Sequence, residues 1–217
     1  MPRPRSLQPD RLAAAAVAVI DRAGLAGLTM RSAAQELGMS TMALYRYVAD
    51  RDELELLVCE WLLRDLDTDP PGDPIWTTNL QTLCDRVRRP LAAHPQAVPL
   101  LIANRQRCRT VLRWTETVLG VLTAAGFDDA DRVIALRGLV AYLYGALLQE
   151  SLGPLDGAGT RTMAALPAAD FPLLRATASR ATTVSPGDEF AGGLAVVLRG
   201  LAAGQVSRSG RVPGDPA

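Results

Sequence analysis

The 217-residue chain has no lysine, one histidine, three cysteines and no long uninterrupted apolar run, and each shortage removes a class of function. All 23 basic side chains are arginine, a bias of coding composition from which no role is drawn. The lone histidine, His94, leaves no second imidazole for a metal pair and only one place around which a Ser-His-Asp or Cys-His set could form. It reads as a helix-end residue facing solvent. Cys59, Cys84 and Cys108 are odd in number, unevenly spaced and without a Cys-x-x-Cys pair, so neither a disulfide framework nor a zinc site is indicated. They read as reduced, mostly buried thiols. A thiol-responsive protein stays open as an alternative, with the arginines around Cys108 the one local feature that would lower a thiol pKa. No glycine-rich phosphate loop and no paired carboxylates suited to acid and base work are present, so neither enzyme, cofactor nor metal is expected. The longest apolar stretch, Val133 to Leu148, is interrupted by Arg137 and falls short of the ~20 residues that cross a bilayer. Pro2-Arg3-Pro4-Arg5 leads into an alanine-rich helix without the features of a signal peptide, so the expected location is the cytoplasm and no membrane partner is expected.

What is present is concentrated near the start. The overall charge is zero, yet through residue 51 seven arginines stand against four carboxylates. Arg3 and Arg5, interleaved with Pro2 and Pro4, suggest an extended arm able to follow a phosphate backbone, or else a free terminus. Residues 28 to 51 then place two short helices around a glycine turn. Thr29 can cap the first, Ala33, Ala34 and Leu37 supply its apolar stripe, and Gly38 stands where a helix ends in the left-handed conformation. Ser40 can cap the second, whose Leu44 and Val48 point inward and leave Thr41, Met42, Tyr45, Arg46 and Tyr47 outward. Two phenols, a guanidinium and a hydroxyl can bond phosphate oxygens or base edges, so this is a candidate helix-turn-helix. A duller reading has Tyr45 packing its ring on the domain, Tyr47 lying on the next helix and Arg51 pairing with a carboxylate. Supporting helices flank the pair: Leu12, Ala16, Val19, Ile20 and Ala23 upstream, and downstream Leu54, Leu57, Val58, Trp61 and Leu62 behind a capping box at Asp50-Arg51-Asp52-Glu53.

This stretch resembles the TetR family of one-component transcriptional repressors. The order is helix, Gly-Leu-Thr-x-Arg at 27–31, helix, Gly-Met-Ser at 38–40, Leu-Tyr-x-Tyr-Val at 44–48, then basic Arg51 opening the next helix. The resemblance implies that residues about 40 to 47 form a recognition helix in the major groove, and that a homodimer spans two half-sites of a near-palindromic double-stranded operator. The matching contact positions are Arg31, Ser40, Thr41, Met42, Tyr45, Arg46, Tyr47 and Arg51. Arg31 and Arg51 would clamp phosphates, while Thr41, Met42 and Arg46 would read bases. Met42 departs from the proline or small residue that many relatives carry there.

Beyond residue 67 a run of turn formers precedes a second, wholly helical region. Trp76, Leu80, Leu83, Cys84, Val87 and Leu91 trace one helix, and Val111, Leu112, Val118, Leu119 and Leu122 another that stops at Gly126. Asp128 caps the Val133 to Leu148 segment, residues 153–169 read as a loop, and Phe190, Leu194, Val197, Leu198 and Leu201 define the last helix. The expected fold is all-α: a helix-turn-helix domain at 1–55, a ligand-binding and dimerisation domain at 56–206 and a disordered tail at 207–217. Residues 76 to 152 resemble the tetracycline-repressor type of regulatory domain, through His94-Pro95, Ala125-Gly126-Phe127 and Tyr142-x-x-Gly145. That likeness implies an internal pocket for a small-molecule effector, and a dimer built from the Val133–Leu148 helix and the last helix with its Gly192-Gly193 pair. The single histidine argues against the metal-assisted binding of some relatives. Trp114, Tyr142, Tyr144, Gln149, Met163 and Phe171 are the candidate lining residues, each open to the plainer reading of core. The run from Asn104 to Arg109 can attract an anion or be a solvated loop. A helical small-molecule binder without specific DNA binding is the remaining alternative.

Overall fold

The computed structural model describes residues 8–209, and among them every regular element is a helix. The arm with Arg3 and Arg5 and the tail beyond 209 lie outside the described residues. α1 (Pro9–Ala23) opens on a proline, whose missing N–H falls where a first-turn donor has no partner anyway. Its Leu12, Ala16, Val19 and Ile20 are buried against α2 (Met30–Glu36) and α4 (Arg51–Leu62). Thr29 Oγ1 accepts the Ser32 backbone N–H at 3.0 Å while Ser32 Oγ accepts from Thr29 N at 2.8 Å, a reciprocal cap on α2. At its other end Gly38 takes φ of 67°, and the bonds Met39 N to Ala34 O and Gly38 N to Gln35 O, both 3.0 Å, close that end. The turn delivers α3 (Thr41–Leu44), capped by Ser40 Oγ on Ala43 N at 3.2 Å.

Asp50 caps α4 through Glu53 N at 2.8 Å, and Glu53 bonds back to Ala49 N at 2.6 Å, one residue earlier than an ideal box requires. α4 belongs to both halves of the molecule. Leu54 and Val58 are buried in a single apolar cluster that runs from Leu12 to Leu198, and the helix packs on α1 and on α6 (Val98–Asn104). The division expected after residue 55 therefore falls inside a continuous helix.

α5 (Trp76–Ala92), α6, α7 (Arg109–Ala124) and α8 (Asp129–Leu152) form the body, with α11 (Pro186–Ser209) laid against α8. The last helix continues three residues into the stretch read as tail. Ala135, Leu139, Leu143 and Leu147 form the buried stripe of α8, while Val133, Ile134, Leu148 and Leu152 face outward. Among the described residues α8 is the one helix long and apolar enough to cross a membrane, but its buried stripe packs on α5, α6, α7 and α11. Where α8 meets α11, Tyr142 Oη donates to Phe190 O at 2.6 Å, and a Cβ on Gly193 would stand 2.5 Å from that hydroxyl. Arg88 of α5 braces the same corner, paired with Glu150 at 2.6 Å and lying 5.0 Å over the Phe190 ring.

Residues 153–169, expected as loop, contain α9 (Ala158–Ala164), which packs on α10 (Pro172–Ala181). Its short sequence carries no strong helical period, so the helix owes its existence to that partner. His94 also departs from expectation. Instead of simply facing solvent, its Nδ1 lies 2.8 Å from Asp21 Oδ2 on α1 and its ring sits edge-on to Trp61.

Candidate nucleic-acid interface and internal cavity

The caps at Thr29, Ser40 and Asp50 hold three successive helix starts, and the residues between them determine one outward face. Leu44 and Val48 are buried, which turns Met42, Tyr45 and Tyr47 out at 77%, 47% and 40% exposure. Arg31, Ser40, Arg46 and Arg51 are exposed as well, and Thr41 is half-buried. Regular helix ends at Leu44, shorter than the 40–47 expected. The bonds Tyr45 N to Thr41 O, Arg46 N to Ala43 O and Tyr47 N to Leu44 O carry the chain on as turns, so the row of side chains is still presented together. Arg51 Nε pairs with Glu55 Oε1 at 2.7 Å, as the duller reading allowed, whereas among the described residues Arg31 and Arg46 make no ion pair. A half-exposed i,i+4 pair of this kind contributes little and leaves the guanidinium able to engage a phosphate as well.

The six residues expected to line a pocket fall in three places. Trp114 and Tyr144 share a narrow apolar void of about 10 Å³ with Leu63, Leu66, Val87, Leu101, Val111 and Leu143. Trp114 is buried and its Nε1 donates to Leu83 O at 2.9 Å, while burial pushes the Tyr144 phenol above its ordinary range. Tyr142 and Gln149 stand instead at an open cleft of about 300 Å³ between α8 and α11, with Gly145, Phe190 and Gly193. Burial raises the Tyr142 phenol too. Met163 and Phe171, in the α9 and α10 region, are exposed and border neither space. A further open cleft of about 460 Å³, lined by charged and apolar side chains together, lies between the end of α4 and α5, against Trp61, Arg64, Arg89 and His94.

The thiols are buried. Burial pushes Cys59 and Cys84 far up and Cys108 up to about 11, with Glu60 adding to the rise at Cys108, so the nearby arginines do not activate it. Among the described residues no group of His, Cys, Asp or Glu is arranged to hold a metal ion.

Three residues join α4 to the body: Glu60, which sequence reasoning passed over, and Asn104 and Cys59, whose partners it did not foresee. Glu60 on α4 accepts the Arg109 backbone N–H and the Thr110 hydroxyl, capping α7 at 2.5 and 2.7 Å. Asn104, the one buried polar side chain among the described residues, donates to Leu100 O at 3.2 Å and makes a long contact of 3.5 Å with Glu55. Cys59 Sγ approaches Leu100 O at 3.8 Å. Cys59 to Leu100, Asn104 to Glu55 and Glu60 to Arg109 each join positions more than forty residues apart, so no local pattern announces them.

Comparison with known proteins agrees with this arrangement. Residues 69–204 match the tetracyclin repressor-like C-terminal domain family. Over 198 residues the chain is 31% identical to the class A tetracycline repressor of transposon 1721 from Escherichia coli, covering 90% of this chain and 91% of that protein. The Streptomyces coelicolor TetR family protein ActR, solved in complex with actinorhodin, superposes with a TM-score of 0.75 at 27% identity, over 93% of this chain and 98% of ActR. BioQ, known from Mycobacterium smegmatis and solved with its double-stranded DNA operator, superposes with a TM-score of 0.67 at 27% identity, over 91% and 99% of the two chains.

Proposed function

The chain belongs to the TetR family, and from that we propose that it is a ligand-responsive transcriptional repressor that binds a near-palindromic operator as a homodimer and leaves it when a small molecule enters its body. The observation that carries the reading is the outward row of Met42, Tyr45, Arg46 and Tyr47 on a segment capped by Ser40 and backed by buried Leu44 and Val48. Burying two apolar residues to expose a large thioether, two phenols and a guanidinium side by side is costly for a bare surface and suits a major groove. In this assignment Thr41, Met42 and Arg46 face base edges, Tyr45 and Tyr47 and Ser40 contact the backbone or base edges, and Arg31 and Arg51 clamp phosphates on either side. The division of labour is a head ending within α4 and a body that binds effector and partner.

The outward apolar residues of α8 and Val196 of α11 are the surface for the second subunit, and pairing through a twofold axis sets the spacing of the two heads. The effector enters the void beside Trp114 and Tyr144, which is apolar and touches Leu63 and Leu66 just beyond α4. A molecule that binds one arrangement of α4 better than the other shifts the balance between bound and free operator. The relatives are regulators rather than enzymes, and in this reading the chain acts on DNA in the cytoplasm without cofactor or metal. The thiol-responsive alternative loses its support with the buried, proton-retaining cysteines.

The test is a binding assay with duplexes from the region upstream of the protein's own gene and with a randomised duplex pool. A dimer should select one near-palindromic sequence, and Arg46→Ala should weaken it by about 1–3 kcal/mol while leaving bulk-DNA affinity nearly intact. Failure of the wild-type protein to prefer any sequence over bulk DNA would refute the repressor reading.

A further inference from the structure

We propose that the turn between α6 and α7, residues 105–107, is a second phosphate-contacting surface, so that the body of the protein as well as its head touches the DNA backbone. The inference rests on the DNA-binding reading above and adds to it a contact site outside the helix-turn-helix.

From Leu100 to Thr115 the sequence holds Arg105, Arg107, Arg109 and Arg113 and no carboxylate. Arg105, Gln106 and Arg107 are exposed in succession, while Asn104 before them and Cys108 after them are buried. The turn is therefore pinned at both ends and presents its side chains outward. Asn104 anchors one side through Leu100 O, and Arg107 N and Cys108 N both bond Asn104 O, at 2.9 and 3.0 Å. On the other side the Glu60 carboxylate caps α7. The Arg105 guanidinium is held by Ile102 O at 2.7 Å through one of its five N–H groups, which leaves the rest of its donors for a ligand.

The position of this turn is what selects DNA as its partner. Arg107 Nη1 lies 3.5 Å from Asp52 Oδ2, and Asp52 is the residue after Arg51 in the first turn of α4. Glu55 takes Arg51 on one oxygen and meets Asn104 with the other. The α6–α7 turn thus flanks the start of α4 on the side between Arg51 and Asp52, four residues from Tyr47. Three carboxylates lie against it, Asp52 and Glu55 on the α4 side and Glu60, whose oxygens are taken up by the α7 cap. Both ends of the Arg107–Asp52 pair are exposed, and at 3.5 Å such a pair is weak and exchanges partners readily, so a phosphate oxygen can take over the guanidinium.

The experiment measures the affinity of the full-length protein for a random-sequence duplex as a function of salt. Arg105→Gln with Arg107→Gln should lower the magnitude of the log K against log salt slope by ~0.9 for each phosphate that a subunit no longer neutralises. Asp52→Asn should raise affinity in the wild-type background and lose that effect when Arg107→Gln is also present. The charge-retaining pair Arg105→Lys with Arg107→Lys should keep the wild-type slope, which separates charge from folding. If Arg51→Gln flattens the slope and the Arg105/Arg107 pair leaves it unchanged, the proposal is overturned and the repressor reading stands. If the wild-type protein shows no salt-dependent duplex binding, both fall together.

Discussion

Gly193 supports a quantitative prediction, because the space its missing side chain leaves is filled by Tyr142. An added Cβ would meet Tyr142 Oη at 2.5 Å, Cε2 at 2.7 Å and Cζ at 2.9 Å, all inside the separation that carbon contacts tolerate. Gly193→Ala must therefore push the ring away from α11, and the shift breaks the 2.6 Å hydrogen bond from Tyr142 to Phe190 O. Overpacking of this size costs about 1–3 kcal/mol and the broken bond about 0.5–1.5 kcal/mol, part of which alanine's better helix propensity returns. A net loss of about 1–4 kcal/mol corresponds to a fall in melting temperature of about 2–16 °C for a chain of this length. Thermal unfolding followed by circular dichroism at several protein concentrations reads the change and separates subunit stability from association. Gly193→Ala combined with Tyr142→Leu should recover much of the loss, since the ring that collides is gone. A melting temperature within a degree of the wild type for Gly193→Ala would show that α8 and α11 do not lock through this contact.

Other consequences are open to direct measurement. Asp50→Ala removes the cap on Glu53 N and should cost about 0.5–2 kcal/mol in denaturant unfolding, with specific DNA affinity falling too because Arg51 follows the cap. Tyr45→Ala should weaken operator binding in a fluorescence-anisotropy titration by more than it changes the melting temperature, since the ring is half exposed; equal losses in both would return Tyr45 to a packing role. Cys108 keeps its proton to about pH 11 in the native state, whereas an unfolded thiol loses it near pH 8.5. The native form then binds more protons between those values, so stability held below pH 8.5 should decline as pH rises towards 11, and alkylation of the native protein at neutral pH should be slow.

The parts of this molecule that could be read in its sequence are those whose causes are local. Thr29, Ser40 and Asp50 bond to N–H groups three residues ahead, and Gly38 relieves a strain set by its own backbone, so each is visible within a few letters. The inward Leu44 and Val48 follow from helical spacing, and with them the outward row. What eluded reading depends on distant partners. His94 looks like a solvent-facing helix end until Asp21, 73 positions earlier, is placed against it. α9 lacks a period of its own and forms on α10. Tyr142, Tyr144 and Gln149 sit on one helix within eight residues, yet rotation about its axis sends Tyr144 into the interior and the other two to the α11 side. Residue type alone does not resolve that difference.

The hollow beside Trp114 is barely large enough for a single water molecule. No drug-sized guest can settle there without forcing Val111, Leu143 or the leucines past α4 to give way, so a silent occupant is physically ruled out. Under the proposed reading, part of any guest's intrinsic affinity would go into prising the walls apart, and that same work would reach the rod leading to the reading head. Admission and message would then be one event, and a variant with a roomier interior should bind its guest more tightly while heeding it less.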